Sequence, residues 1–349
     1  MDWYRHVFRP LAFRLEPERA HDVTLLGLAL ASRFPAVLSP ISGPTIAKPR
    51  TVFGLRFPNP VGLAAGMDKN AVAVPAWAAM GFGFVEVGTV TAQGQNGNPK
   101  PRLFRYPEQE ALVNRMGFNN RGAESVARHL RQAREQPSWP SVPLGINLGK
   151  TKAVALAEAT EDYLASFRAL QGVGDYFVLN VSSPNTPGLR RLQERPALDA
   201  LFQAVQAANT SRRPMLVKVA PDLTFSQIDD VLALVEQHRL AGLVATNTTL
   251  DHESLPPAKR EAGGLSGCPL GKRALEVLHH LRKQTTLPII AVGGIMDGEG
   301  GRARLDAGAD LIQLYTGFIY RGPALIAAIV NGLTASPPNR GTAVREGTP

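Results

Sequence analysis

The sequence predicts an α/β fold: a closed (β/α)8 (TIM) barrel carrying an N-terminal helical extension. Three observations predict it. Eight short, nearly uninterrupted apolar runs recur along the chain, helical patterns separate them, and nearly every run ends in a hydrogen-bonding residue. A length of 349 residues suits one such barrel with additions.

The runs cover 61–66, 84–88, 144–149, 176–181, 215–220, 242–247, 288–294 and 311–317. Unbroken apolar character marks strands buried on both faces. Helical periodicity fills 153–170, 197–209, 225–239 and 272–283. Strands alternating with helices imply a parallel sheet, and eight repeats favour closure over the open, doubly wound alternative. The polar ends are Asp68 and Lys69, Thr89, Asn147, Asn180, Lys218, Thr246 and Asn247, Gly293 and Gly294, and Tyr315 and Thr316. A barrel gathers the C-terminal ends of its strands into one site, so these residues should share it.

The barrel should span 45–335. Residues 90–140 form an insertion after the second run and read as a functional lid. Residues 1–40 read as two helices. The first presents Trp3, Val7, Phe8, Leu11 and Ala12 and is interrupted by Pro10; the second carries Val23, Leu25, Leu26, Leu28 and Leu30. An ordinary barrel cap is the alternative reading of this segment. The polar, Pro- and Gly-containing stretch 336–349 predicts a disordered tail.

Composition narrows the classes. Apolar residues at 44% and charged residues at 19% describe a globular chain. The single cysteine, Cys268, excludes an intrachain disulfide and reads as structural. The net charge of +9 fits an acidic substrate, a bound phosphate or an anionic membrane surface. Its basic residues are spread out, densest between Lys100 and Arg134, with no continuous run, which disfavours nucleic acid. No apolar stretch reaches the ~18 residues that a membrane span needs, and the N-terminus has no secretory pattern. Seven scattered histidines show no metal-ligand spacing. No Gly-x-Gly-x-x-Gly follows the first run and no Gly-x-Ser-x-Gly surrounds Ser183, against a nicotinamide site and a hydrolase.

Several strand-end segments can carry chemistry. Asn180-Val-Ser-Ser-Pro-Asn-Thr-Pro-Gly188 is stiffened by two prolines and presents Asn180, Ser183 and Asn185. Amides suit a heterocycle with carbonyls and N–H groups, and a hydroxyl can accept a proton where its surroundings help. A capped turn is the equally weighted alternative. In Ala65-Gly-Met-Asp-Lys69 the glycine admits a flat ligand, and Lys69 either pairs with a substrate carboxylate or lies on the surface. Lys218 sits inside an apolar strand. A buried cation demands negative charge, from an anionic ligand or from a carboxylate of the chain. The glycine clusters 263–267 and 292–295 lie where barrels commonly bind phosphate.

Nine segments in order resemble the dihydroorotate dehydrogenases: LAAGMDK (63–69), GTVT (88–91), NPKPRLFR (98–105), NRMGFNN (114–120), GINLGK (145–150), NVSSPNTPG (180–188), ATNTT (245–249), GGLSG (263–267) and VGGI (292–295). A serine at position 183 and the N-terminal extension resemble the membrane-associated, quinone-reducing class; the soluble class uses a cysteine as base. The resemblance implies an FMN-dependent oxidoreductase acting on a CH–CH bond, which oxidises (S)-dihydroorotate to orotate in pyrimidine (UMP) biosynthesis. It implies FMN contacts from Ala65, Gly66, Met67, Asp68, Lys69, Thr89, Asn147, Asn180, Lys218, Thr246, Gly267, Gly294, Tyr315 and Thr316. Dihydroorotate would meet Lys69, Asn114, Arg115, Met116, Gly117, Phe118, Asn180, Asn185, Asn247 and Thr248, with Ser183 as catalytic base. His21, Arg102 and Tyr315 would line the path of a membrane quinone, reached by an extension lying on the membrane surface. That implies a peripheral protein on the cytoplasmic face of the membrane, with no obligate protein partner and no nucleic acid. A soluble relative using fumarate or NAD, and a non-catalytic phosphate-ligand-binding barrel, are the competing readings.

Overall fold

A computed structural model describes residues 2–38, 47–186 and 188–333. The 336–349 tail, and Pro187 of the proline-stiffened segment, lie outside the described residues. The chain starts with a π-helical turn, Tyr4–Phe8, that runs into α1 (Arg9–Ala12). Pro10 falls in the first turn of α1, where a missing N–H costs little. The second helix, α2 (Pro17–Ala31), is started by Pro17 and capped by the Glu16 carboxylate, which accepts from the N–H groups of Glu18 and Arg19.

This arm is pinned to the barrel. Tyr4 Oη donates to the Ile319 carbonyl (2.8 Å) and Arg9 to that of Tyr320 (2.9 Å), while Leu25, Leu28 and Ala31 pack on the core. Its other side exposes Val7, Leu11, Val23, Leu26, Leu30, Phe34 and Val37. Among the described residues no helix is long and apolar enough to cross a membrane.

Thirteen strands follow among the described residues: β1 (Arg50–Val52), β2 (Leu55–Phe57), β3 (Val61–Leu63), β4 (Phe84–Val90), β5 (Leu103–Tyr106), β6 (Ala111–Asn114), β7 (Leu144–Leu148), β8 (Tyr176–Asn180), β9 (Met215–Val219), β10 (Gly242–Ala245), β11 (Gly264–Gly267), β12 (Ile289–Val292) and β13 (Leu311–Leu314). The strands β3, β4, β7, β8, β9, β10, β12 and β13 pair in that order, all parallel, and β13 closes back onto β3. These are the eight apolar runs. Every residue of these eight strands is buried, which is why the runs do not alternate. Closure removes the open-sheet alternative.

The helices α3 (Val74–Ala79), α4 (Ala123–Arg134), α5 (Ala159–Leu170), α6 (Arg195–Ala208), α7 (Phe225–Gln237), α8 (Gly271–Gln284), α9 (Gly298–Asp306), α10 (Thr316–Arg321) and α11 (Ala324–Asn331) surround the barrel. Their apolar stripes face inward; in α4 the buried set Ala123, Val126, Ala127 and Leu130 has helical spacing. The N-terminal mouth of the barrel is plugged by the β1–β2 hairpin, whose Phe57 meets Phe84 edge-on at 5.3 Å. Chemistry is thereby confined to the other mouth.

The 90–140 segment is only partly a lid. Its second half is α4, an ordinary barrel helix. Its first half forms the β5–β6 hairpin, which pairs with β11 in a three-stranded antiparallel sheet. Two distant insertions thus brace each other over the strand ends.

Candidate active site

A cavity with about 990 Å³ of atom-free space opens at the C-terminal ends of the strands. The β3 end contributes Ala65, Gly66 and Lys69; β4, Thr89; β8, Asn180, Ser183 and Asn185; β9, Lys218; β10, Thr246, Asn247 and Thr248. Gly267, Gly294, Tyr315 and Thr316 complete one side, and Asn114, Met116, Gly117 and Phe118 roof it from the hairpin. Most of the predicted constellation therefore shares one wall.

The floor is a hydrogen-bonded amide cluster. Thr89 Oγ1 donates to Asn147 Oδ1 (2.6 Å), and Asn180 Nδ2 donates to both that oxygen and Thr89 Oγ1 (3.0 Å each). Tyr163 of α5 fixes the strand end from behind through the Asn180 carbonyl (2.8 Å). Below lies Glu86, fully buried, accepting from Asn147 Nδ2 (2.9 Å), Gln313 Nε2 (2.5 Å) and Tyr176 Oη (3.4 Å). Lys218 points into the cavity and enters no ion pair found among the described residues. Burial pulls its ammonium below the ordinary lysine range, and the opposing charge of Glu86 only partly compensates. Gln313 Oε1 is buried and has no hydrogen-bond partner among the described residues.

The outer half presents further amides and hydroxyls. Asn185 Nδ2 donates to Asn114 Oδ1 (3.1 Å), and Asn247 Nδ2 donates to Ser182 Oγ (2.9 Å) and Asn180 Oδ1 (3.2 Å). Ser183 is 5% exposed, and its Oγ accepts from the Asn185 N–H at 3.3 Å. Lys69 is buried, with Nζ on the Gly66 carbonyl (2.9 Å), so the surface alternative fails. Burial lowers its pKa to about 8; the charge of Arg102 adds to this, and Glu18, Asp22 and Asp68 oppose it.

The glycine loops approach each other backbone to backbone. A Cβ on Gly294 (φ +65°) would sit 2.2 Å from Gly271 Cα, and one on Gly267 (φ +96°) 2.2 Å from the Glu110 carbonyl. Ser266 Oγ and Thr316 Oγ1 share a hydrogen bond of 2.8 Å at their rim. Only glycine permits this packing.

A second cavity, with about 1430 Å³ of atom-free space, lies under the arm. Phe8, Phe13, Leu25, Leu28, Leu103 and Phe318 make its lining mostly apolar, with His21, Thr24 and Arg105 among the polar side chains on it. Burial pushes the His21 imidazole down to about 3, with the charge of Lys69 adding, so it is neutral near pH 7. Tyr315 lines both cavities, and Gly66 and Met67 face opposite ones. Burial pushes the Tyr315 phenol up to about 12, so the dividing side chain is uncharged.

Five of the residues expected at the ligands do not line the expected cavity. Asp68 turns away from the cavity: its carboxylate accepts from the N–H groups of Val72 (2.9 Å) and Ala73 (2.8 Å) and from Trp77 Nε1 (3.3 Å), fixing the turn before α3. Met67 lines the apolar cavity instead. Asn147 lies beneath the wall, orienting Asn180 and Thr89. Arg115 points outward onto the Phe104 ring (4.5 Å) and Glu261 (2.9 Å). Arg102 is bound to Glu18 and does not line the apolar cavity. Cys268, read as structural, is exposed. Glu86 and Gln313 were missed, although a lone polar residue in each apolar strand was the same signal that singled out Lys218.

The dihydroorotate dehydrogenase family model matches residues 49–336. A Thermus thermophilus protein named dihydroorotate dehydrogenase (quinone) is 54% identical over 327 residues, covering 92% of this chain and 93% of that relative. One of the same name from Thermosynechococcus vestitus is 50% identical over 362 residues, covering 96% and 97%. The ligand-free DHODH of Eimeria tenella superposes with a TM-score of 0.81 at 35% identity, covering 90% of this chain and 93% of that one. With the closed barrel and its strand-end cavity, these matches show that the chain belongs to the dihydroorotate dehydrogenase family.

Proposed function

We propose that the chain oxidises (S)-dihydroorotate to orotate with bound FMN and passes the electrons to a membrane quinone. One observation carries this reading: a polar cavity and an apolar cavity share a wall at Tyr315 and the Gly66–Met67 turn. A water-soluble reductant and a lipid-soluble oxidant can then be served from opposite sides. The relatives named for quinone support the second half.

The polar cavity fits FMN. The only partly compensated Lys218 ammonium and the buried Gln313 Oε1 suit a ligand with negative charge and an N–H group. The Gly267 and Gly294 loops with Thr316 suit its phosphate, and Ala65, Gly66, Thr89, Asn180 and Thr246 its ring. FMN held there supplies the acceptor for the hydride leaving substrate C6 and the donor to quinone. The chain's own residues do the rest. Lys69 holds the substrate carboxylate. Asn114, Asn185, Asn247 and Thr248 match its ring carbonyls and N–H groups. Ser183 Oγ takes the C5 proton, and the roof of Met116, Gly117 and Phe118 excludes water.

Lys69 sets a pH dependence. A lysine is charged below its pKa, here about 8. The dihydroorotate concentration for half-maximal flavin bleaching should be flat below that pH and rise about tenfold per unit above it. A flat profile throughout contradicts the assignment of Lys69.

The apolar outer face of the arm suits a membrane interface on the cytoplasmic side, with the second cavity opening into lipid. Leu26 and Phe34 are exposed, and neither lines a cavity. The double substitution Leu26→Asp/Phe34→Asp should weaken vesicle binding about tenfold or more, since burying one such side chain is worth ~1.5–3 kcal/mol. Flavin bleaching by dihydroorotate should be unchanged. Undiminished cosedimentation with vesicles removes the membrane role of this face.

Purification and a spectrum test the whole reading. A yellow protein bleached by dihydroorotate and recoloured by quinone supports it. Recolouring by fumarate or NAD instead favours the soluble class, and a colourless protein the ligand-binding barrel.

A further inference from the structure

The arm and the polar cavity are joined by a continuous polar chain that runs from the first turn of α2 to the roof and the Ser183 loop. It begins at Glu18, in the first turn of α2, which is 3% exposed. Burying a carboxylate is costly unless its charge and lone pairs are matched. Here Arg102 donates from Nε to both carboxylate oxygens (3.1 Å each) and from a terminal nitrogen at 2.7 Å, and Lys100 Nζ lies 3.2 Å away. Burial works against the Glu18 charge, and the hydrogen bonds from Arg102 and Lys100 outweigh it, holding the carboxyl below its usual range.

The other terminal nitrogen of Arg102, itself 6% exposed, donates to the carbonyls of Asn96 (2.6 Å) and Asn98 (2.8 Å). The guanidinium thus fixes the 96–98 turn. Asn98 is the junction beyond it. Its N–H donates to the Met116 carbonyl (3.0 Å), and its Nδ2 to the carbonyls of Arg115 (2.8 Å) and Asn185 (3.1 Å). The first two lie in the roof of the site. Asn185 lies on the loop carrying Ser183, and its N–H reaches Ser183 Oγ.

We propose that Glu18 is a positioning residue for dihydroorotate: through Arg102 and Asn98 it ties the seating of the arm to the geometry of the roof and the Ser183 loop. The inference rests on the substrate reading above for its kinetic consequence, but not for its structural one. Glu18→Gln leaves the Arg102 guanidinium buried against a neutral amide, so the 96–98 turn loses its anchor. The arm is then part of the substrate site, and not only an entrance for the oxidant.

The test uses the full-length, flavin-loaded protein without quinone. Amide hydrogen exchange at 115–118, Asn185 and Thr186 should quicken about tenfold in Glu18→Gln, the equivalent of ~1.4 kcal/mol. It should not change in Arg19→Ala, an exposed neighbour on the same helix. The dihydroorotate concentration for half-maximal bleaching should rise by a similar factor, with the limiting rate moving less. Asn98→Ala should reproduce both effects, and the double variant should add little to either, because the two residues act in series. Unchanged exchange in Glu18→Gln, or additive effects in the double variant, overturns the proposal. If Glu18→Gln does not fold, Asn98→Ala decides alone, and unchanged exchange and half-saturation there overturn it equally. If dihydroorotate fails to bleach the wild type, the functional reading falls, while the exchange data still decide whether the chain of contacts exists.

Discussion

Replacing Ser183 by alanine should slow bleaching of the flavin by dihydroorotate about 10²- to 10⁴-fold, the usual worth of a general base. The substitution removes one oxygen from a rigid loop. That loop is held independently by Asn185 Nδ2 on Asn114, by Asn98 on the Asn185 carbonyl and by Asn180 in the floor cluster. Flavin content, melting temperature and quinone-driven recolouring should therefore stay near wild type. Anaerobic stopped-flow spectroscopy separates these steps: the defect should lie in bleaching alone. Among the described residues the only hydrogen bond found on Ser183 Oγ is the one it accepts from the Asn185 N–H at 3.3 Å, which leaves a lone pair for the C5 proton. Wild-type bleaching in the alanine variant would remove Ser183 from the mechanism.

Replacing Lys218 by methionine should either strip FMN from the protein or leave bound flavin that dihydroorotate reduces ~10²- to 10³-fold more slowly, the range for one preorganised charge aimed at developing negative charge. Methionine keeps most of the volume in a fully buried strand, so the variant reports charge more than packing. The geometry sets the sign. With the ammonium gone, Glu86 remains beneath the cavity, and the local field turns negative where reduction delivers negative charge. Flavin affinity by fluorescence titration and the reduced fraction at a fixed dihydroorotate-to-orotate ratio should both fall. A variant that binds FMN and is reduced like wild type would show that Lys218 serves only as the buried partner of Glu86.

What the sequence made legible was the backbone plan. Eight apolar runs became eight barrel strands because strands buried on both faces cannot alternate. Positions where a run meets its loop fell on one cavity because a barrel puts those ends together. Side-chain direction was less legible. Asn114, Arg115 and Met116 are consecutive, yet the first and third line the cavity while the second stacks on Phe104 and pairs with Glu261, partners that its own segment does not announce. Asp68 sits beside the cavity-lining Lys69, but the N–H groups of Val72 and Ala73, just before α3, claim its carboxylate. Arg102 was read as lining the apolar path, and what decides its direction is Glu18, eighty-four residues earlier in the chain. Long-range pairing of that kind leaves no local pattern.

The central claim is that one flavin is reduced through the polar cavity and oxidised through the apolar one. The most direct measurement is an anaerobic visible titration of the purified protein with dihydroorotate, followed by a short-chain quinone. The account predicts that the flavin absorbance is lost on the first addition and restored on the second, while fumarate and NAD restore nothing. A flavin that keeps its colour in dihydroorotate, or that regains it with fumarate or NAD and not with quinone, would contradict it.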